Sequence, residues 1–223
     1  MRHRLGLALV CMTLAAASLA GQRPTQGRLF PPEDLGLLES PDREEWQQPN
    51  KIMDILGIAE GSRVADVGAG GGWFTIRLAR RVGPAGLVYA EDIQPRMIES
   101  IQRRIAGDGP SKNVRMVLGA PDDPRLPSGL NAVLIVGAYP QFQNPVTVLR
   151  HIAGSLAPNG LLGVVDFKKD GAGGPGPPLD QRVESSVVRL EAAQAGLRLV
   201  QEMSLRYQYV LVFGVETKAP RGK

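Results

Sequence analysis

Residues Arg63–Thr75 read RVADVGAGGGWFT. The apolar start of this segment is typical of a buried β-strand that carries Asp66 near its end, and glycines follow at positions 68, 70 and 72. Glycine lets the backbone turn sharply and approach a ligand closely, and a helix that opens near Trp73 offers free N–H groups at its start. The segment therefore predicts a strand, a glycine-rich turn and a helix, with a cofactor lying against the turn.

On both sides of this segment, short β-rich runs alternate with longer amphipathic runs, which predicts a doubly wound α/β sheet. Strands are predicted at 63–67, 86–91, 114–118, 132–136, 161–166, 198–203 and 208–215. Helices are predicted at 50–58, 74–82, 95–106, 145–156 and 180–195. Because no helix separates the last two strands, we expect them to form a hairpin in which one strand runs against an otherwise parallel sheet.

The first 20 residues have the features of a secretory signal peptide. Arg2 and Arg4 precede an apolar run over 5–17, and residues 18–20 place small side chains at the two positions that signal peptidase reads. The run is shorter than the ~20 residues that span a bilayer. We therefore expect cleavage and an exported chain, periplasmic or secreted; an uncleaved segment would instead anchor the domain to the membrane outside the cytoplasm.

This segment changes what the composition implies. The 223-residue chain has a formal charge of +4, which taken alone favours an acidic partner such as a nucleic acid. Without Arg2 and Arg4 it has 24 basic and 22 acidic side chains, so we expect no nucleic-acid partner. Cys11, the one cysteine, lies in the apolar run, so the mature chain would have no thiolate nucleophile, disulfide or Cys-ligated metal. Acids and histidines show no metal-ligand spacing either, and we expect no metal.

The chain is predicted to have one large domain. After the signal peptide at 1–20 we expect an extended, proline-bearing leader over 21–45, a domain over 46–216 and a tail over 217–223. The segment 171–178 reads GAGGPGPP, which excludes a helix or a central strand. It is either a flexible connection or a loop over the open edge of the site.

The glycine spacing argues against a dinucleotide. A GxGxxG/A fingerprint would need a third Gly or Ala where the chain has Trp73 or Thr75, and no Gly-Lys-Ser/Thr follows as in nucleotide hydrolases. Asp66 also adds negative charge where a pyrophosphate would lie, which favours a cationic ligand such as a sulfonium with an ammonium group.

Glu91 and Asp92 end the second predicted strand. An acid at this place can accept hydrogen bonds from both ribose hydroxyls of a nucleoside. Because side chains alternate along a strand, only one of the two acids can face the ligand.

Three motifs lie along the chain, DVGAGGG at 66–72, VYAEDIQPRMI at 88–98 and LRHIAGSLAPNGLLGVVDF at 149–167. Together they resemble the class I S-adenosylmethionine-dependent methyltransferases, close to the branch with a UbiE-like methyltransferase domain. The resemblance implies an α/β, Rossmann-like three-layer αβα sandwich, whose seven-stranded, mostly parallel sheet has an antiparallel last strand. It also implies S-adenosyl-L-methionine as the cofactor, with Asp92 at the ribose. The predicted cofactor-binding residues are Asp66, Gly68, Ala69, Gly70, Gly72, Asp92, Ile93 and Asp122.

Two motifs of such methyltransferases are altered in this chain. Their common Gly-Asp-Ala after the third strand is replaced by Gly119-Ala120-Pro121, which removes the carboxylate and the N–H that recognise adenine. Asp122 either substitutes for them or belongs to a solvated turn. After the fourth strand, the polar series seen in relatives is replaced by residues 137–140, which leaves Tyr139 as the candidate catalytic side chain.

Two functions fit this sequence. One is transfer of a methyl group from S-adenosylmethionine to a small molecule or an exported acceptor, which needs no strong base because the sulfonium is already activated. The other is a non-catalytic binding module on a degenerate methyltransferase fold outside the cytoplasm. The altered motifs and the predicted export favour the second function, whereas the glycine loop and its acids favour the first.

Overall fold

The computed structural model describes residues 29–108, 112–170 and 174–216. The predicted signal peptide, the first part of the predicted leader and the 217–223 tail lie outside these ranges, as do residues 171–173 of the Gly–Pro segment.

Seven strands form one sheet in the described chain. They are β1 (Arg63–Val67), β2 (Leu87–Asp92), β3 (Val114–Leu118), β4 (Leu130–Val136), β5 (Leu156–Phe167), β6 (Leu197–Ser204) and β7 (Gln208–Val215). The α-helices are α1 (Arg43–Gln47), α2 (Pro49–Ile55), α3 (Trp73–Val82), α4 (Pro95–Asp108), α5 (Pro145–Ser155) and α6 (Ser185–Gln194). Each of the predicted strands is present, and three have the predicted bounds.

The strand order is β3-β2-β1-β4-β5-β7-β6. Strands β1 to β5 pair in parallel, whereas β7 runs antiparallel to both β5 and β6. This arrangement confirms the predicted Rossmann-like fold and its final hairpin. The chain order reverses between β1 and β4, and the carboxyl ends of strands at such a switch point border the crevice in which α/β proteins bind ligands.

Helices cover both faces of the sheet and make the three predicted layers. One face packs against α2, α3 and α4 through apolar residues that include Ile52, Leu78 and Ile101. The other face packs against α5 and α6 through residues that include Ile152 and Val188. The buried strands read as continuous apolar runs because each has a helical layer on both sides.

Three segments differ from the sequence-based expectation. The leader is not extended throughout, because Pro32–Leu38 forms a 3-10 helix that begins at a proline. Strand β5 starts five residues early, at Leu156, and reaches its regular register with β4 only after an irregularity near Leu130. The helix expected over 180–195 begins at Ser185, after a short 3-10 turn, Leu179–Gln181.

Ile152 tests the packing of α5 on the sheet. Its side chain is fully buried, so Ile152→Ala should lower the free energy of unfolding by about 2–5 kcal/mol through the lost burial and the cavity. Leu190→Ala on α6, where the side chain is 55% exposed, should change it by less than about 0.5 kcal/mol. Urea denaturation monitored by circular dichroism measures both, and equal effects would contradict this packing.

Candidate functional site

The loop after β1 turns sharply because three of its glycines have left-handed backbone conformations. The φ angles of Gly68, Gly70 and Gly72 are +68°, +55° and +79°. At Gly68 a Cβ atom would also overlap with the side chain of Ala138, which follows β4. The loop can therefore lie directly against the end of β4 only with glycine at this position.

Asp66 lies beneath this loop and is 2% exposed. The hydroxyl of Thr75 donates a hydrogen bond to its Oδ2 atom at 2.7 Å. Burial raises the pKa of Asp66 to about 6, against the opposing effects of the Thr75 hydrogen bond and the positive charge of Arg43. The carboxyl is thus mostly ionised at neutral pH and places negative charge under the loop.

The two acids that end β2 both bind the glycine loop, from opposite faces of the strand. The Gly68 N–H donates to Glu91 Oε2 at 3.2 Å, and the Gly70 N–H donates to Asp92 Oδ2 at 3.0 Å. The N–H of Gln94 donates to the other oxygen of Asp92 at 2.9 Å. Because these loop amides face carboxyl groups, they are not free to bind a phosphate, which agrees with the argument against a dinucleotide.

Burial raises the pKa of both acids. The pKa of Glu91 rises to about 8, because its carboxyl is buried and lies near the negative charges of Asp92 and Asp66; the Gly68 hydrogen bond opposes this rise. Burial also raises the pKa of Asp92, against hydrogen bonds from the backbone of Gln94 and Gly70. Glu91 is therefore largely a neutral acid at pH 7.

Arg43 is a pocket residue that no sequence motif indicated. It lines the pocket above Asp66 together with the glycine loop and the leader residues Leu35, Leu38 and Glu39. Its guanidinium donates to the side chain of Gln47 at 2.7 Å and to the carbonyl of Leu38 at 2.6 Å, and stacks on Trp73 with Cζ 4.2 Å from the ring centroid. Burial lowers the pKa of Arg43 to about 10, so the group keeps its positive charge.

The leader is fixed beside the loop by polar contacts from α4, from the residue before α4 and from the turn after β4. Arg104 donates to the carbonyl of Gly71 at 2.9 Å and pairs with Glu39 at 2.5 Å. The side chain of Gln94 donates to the carbonyl of Phe30 at 3.1 Å, and the Phe30 N–H donates to the side chain of Gln141 at 3.2 Å. Phe30 is thus held between the turn after β4 and the residue before α4, and Glu39 is held by α4.

Of the remaining predicted cofactor-binding residues, Ala69 belongs to the loop itself, Ile93 follows β2 and Asp122 follows β3. The Ala69 N–H donates to the carbonyl of Glu91 at 2.8 Å, and half-buried Ile93 directly follows β2. Asp122 accepts a hydrogen bond from the side chain of Asn144, just before α5, at 2.9 Å. Its carboxylate is therefore bound to the start of α5 in this structure.

Tyr139, the candidate catalytic side chain, is placed in the core. The short 3-10 turn Tyr139–Gln141 directs it away from the glycine-loop pocket, and it is fully buried against α5 and α6. Its hydroxyl donates to Oε2 of Glu191 at 2.7 Å. The position of Tyr139 at the end of β4 was apparent from the sequence, but the direction of the turn was not.

Neither a metal site nor a membrane-spanning helix is found among the described residues. Within them, no three His, Cys, Asp or Glu side chains are grouped as a metal site would require. The same ranges include no helix that is both long and apolar enough to cross a bilayer.

Comparison with known proteins gives consistent matches. Residues 64–160 match a family model described as a methyltransferase domain. Protein-L-isoaspartate O-methyltransferase of Methanothrix thermoacetophila is 29% identical and aligns over 51% of this chain and 70% of that protein. The ubiquinone/menaquinone biosynthesis C-methyltransferase UbiE of Ectopseudomonas mendocina is 30% identical over 53% of this chain. The match spans about half of that relative, 47% of its length.

Solved structures extend the likeness to most of the described chain. A SAM-dependent methyltransferase from Aquifex aeolicus is 26% identical, with a TM-score of 0.78 over 82% of this chain and 98% of that one. A Sulfolobus solfataricus protein described as a type 11 methyltransferase is 17% identical, with a TM-score of 0.62 over 79% of this chain and 95% of that one, and it supports the fold alone. The fold is therefore the Rossmann-like fold of S-adenosylmethionine-dependent methyltransferases, and these relatives and fold neighbours imply S-adenosylmethionine as the cofactor.

Proposed function

We propose that this protein transfers the methyl group of S-adenosylmethionine to a small molecule or an exported acceptor, outside the cytoplasm. The observation that carries the proposal is the charge arrangement at the glycine loop. Carboxyl groups of Asp66, Glu91 and Asp92 lie under or beside the loop, and Arg43 lines the pocket above Asp66. The features of the first 20 residues support the proposed location.

The pocket residues match the charges of this cofactor. Arg43 would bind the carboxylate of the amino-acid end, and the ionised Asp66 would attract its ammonium and sulfonium groups. Asp92 would accept hydrogen bonds from the ribose, because each of its oxygens accepts one backbone N–H and retains a further lone pair. A dinucleotide would place its pyrophosphate against these same acids, which is unfavourable.

Catalysis by this chain would rest on positioning. When bound, S-adenosylmethionine supplies a methyl group on a positively charged sulfur, which is already an activated donor. The end of β4 offers room beside the loop, because among the described residues no atom beyond Gly137 and its two chain neighbours lies within 4 Å of the place that a Cβ of Gly137 would take. Holding an acceptor there in line with the donor reduces the entropic part of the barrier, which accounts for much of the rate in such reactions.

A binding module remains the second candidate function, and the turn after β3 favours it. The Ala120 N–H donates to the carbonyl of Asp123 at 2.8 Å, and Pro121 has no N–H. The usual adenine contacts are therefore absent from this turn. A domain that binds the cofactor or its demethylated product weakly, without turnover, would explain why Ala120 and Pro121 replace the usual adenine-contacting residues.

Titration calorimetry with S-adenosylmethionine and S-adenosylhomocysteine tests the cofactor site. We expect the domain to bind both, and Asp92→Ala to weaken binding by about 1.5–3 kcal/mol through the loss of charge-assisted ribose hydrogen bonds. Glu99→Ala, which removes an exposed acid on α4, is the matched control and should leave affinity unchanged. Absence of heat for either ligand at millimolar concentration would contradict the proposal. Binding without methyl transfer to any acceptor offered would favour the binding module.

Arg43→Met tests the amino-acid end of the pocket. We expect it to weaken S-adenosylhomocysteine binding by about 1.5–3 kcal/mol, since a charged hydrogen bond to the carboxylate is lost. Binding of 5′-methylthioadenosine, which has no amino-acid group, should be unaffected. Arg80→Met, on the exposed side of α3, serves as the control. An equal loss for both ligands would show that Arg43 supports the pocket without contacting the carboxylate.

A further inference from the structure

Glu91 carries a buried carboxyl oxygen that is left without a partner. The side chain is 2% exposed, and its Oε2 atom accepts the Gly68 N–H at 3.2 Å. Its Oε1 atom is fully buried and has no hydrogen-bond partner among the described residues. Leaving a buried polar atom unsatisfied is costly, so such an atom points to a missing ligand group.

The unpaired oxygen lies at the end of β3. A Cβ atom at Gly119, the first residue after β3, would overlap with Glu91 Oε1. The carboxyl group therefore extends from the loop after β1, at Gly68, to the loop after β3, across the end of β2. Glycine at 119 is required for the oxygen to occupy this position.

The charge arrangement sets the direction in which the cofactor would extend; this step rests on the proposed function. With the amino-acid end at Arg43 and the ribose at Asp92, the purine lies towards β3. There the Ala120 N–H is bound to Asp123, Pro121 has no N–H, and Asp122 is bound to Asn144. The unpaired oxygen of Glu91 is a polar atom at this edge that these contacts leave free.

We propose that Glu91 is a further cofactor-binding residue, and that its Oε1 atom hydrogen-bonds to a ring nitrogen of the cofactor's purine. The side chain would thus replace, from β2, a contact that the altered turn after β3 has lost. Both acids at the end of β2 would then contact the ligand, contrary to the expectation from strand alternation that only one of them faces it. Reaching the purine requires the loops after β1 and β3 to open slightly around Glu91 when the ligand binds.

The protonation state of Glu91 defines the direction of this hydrogen bond. The acids that face it are Asp66 on β1, Asp92 on its own strand and Asp123 after β3, and together with burial they hold its pKa at about 8. His151 lies 3.6 Å from Asp123 and is exposed. At neutral pH the acid is therefore neutral: its carbonyl oxygen accepts the Gly68 N–H, and its hydroxyl donates to the ligand. A purine ring nitrogen is an acceptor and fits this donor.

Calorimetry with analogues of S-adenosylhomocysteine tests the contact. In three analogues N1, N3 or N7 of the purine is replaced by C–H. For the wild-type domain, one replacement should weaken binding about tenfold, as expected for one lost hydrogen bond. Glu91→Leu should bind the parent ligand about tenfold more weakly than the wild type does. The analogue that weakened wild-type binding should then lower the affinity of Glu91→Leu by less than about twofold, because the variant has already lost the hydrogen bond that the analogue removes.

Glu91→Gln is the matched variant, because an amide also accepts from Gly68 and donates to the ligand. It should retain the parent affinity within about threefold at pH 7. The wild-type affinity should fall above pH 8, where Glu91 loses its proton, whereas the affinity of Glu91→Gln should not follow that titration. Melting temperatures of both variants show whether each is folded.

Two results would overturn the inference while leaving the proposed function intact. One is an equal penalty for every analogue in wild type and Glu91→Leu, which would make Glu91 a support for the loop only. The other is loss of the analogue preference in Asp122→Asn instead, which would assign the purine contact to Asp122. Failure of the wild-type domain to bind S-adenosylhomocysteine at all would contradict the proposed function itself.

Discussion

The hydrogen bonds from the Gly68 and Gly70 amides to the carboxyl groups of Glu91 and Asp92 are the contacts on which the site depends. They join the loop after β1 to the end of β2 at two points, one on each face of the strand. Each bond also lowers the pKa of the acid that accepts it, and so offsets part of the cost of burying carboxyl groups close together. Removing either acid would leave a loop amide unsatisfied.

These contacts also decide the class of ligand. Doubly wound folds bind many nucleotides at the same switch point, and the fold alone does not distinguish among them. A loop whose amides point outward at the start of a helix favours an anion. Here two of the amides point to carboxyl groups, and Asp66 lies below them, so the loop presents negative charge. A cofactor with a sulfonium and an ammonium group suits that field better than a pyrophosphate does.

The sequence predicted the sheet well, because strands buried on both faces read as uninterrupted apolar runs bounded by glycine or polar residues. It failed where local turn geometry decides the structure, as in the 3-10 helix Pro32–Leu38 and the early start of β5 at Leu156. The candidate site likewise combines residues that a sequence pattern indicates with residues that only the local path of the chain brings in. Asp66 and Asp92 belong to motifs and could be identified, whereas Arg43 enters the pocket only through the path of the leader.

That path places about a third of the pocket-lining residues outside the methyltransferase model that the chain matches, which covers residues 64–160. The acids and the glycine loop lie within it, but Leu35, Glu39 and Arg43 precede it. Arg104 couples the two parts, since its guanidinium binds both the Gly71 carbonyl and Glu39. A movement of the leader would therefore disturb the loop, and a change in the loop on ligand binding would in turn displace the leader. The acids and the glycine loop therefore lie in the segment that resembles other methyltransferase domains, whereas Arg43 and the leader side of the pocket lie outside it.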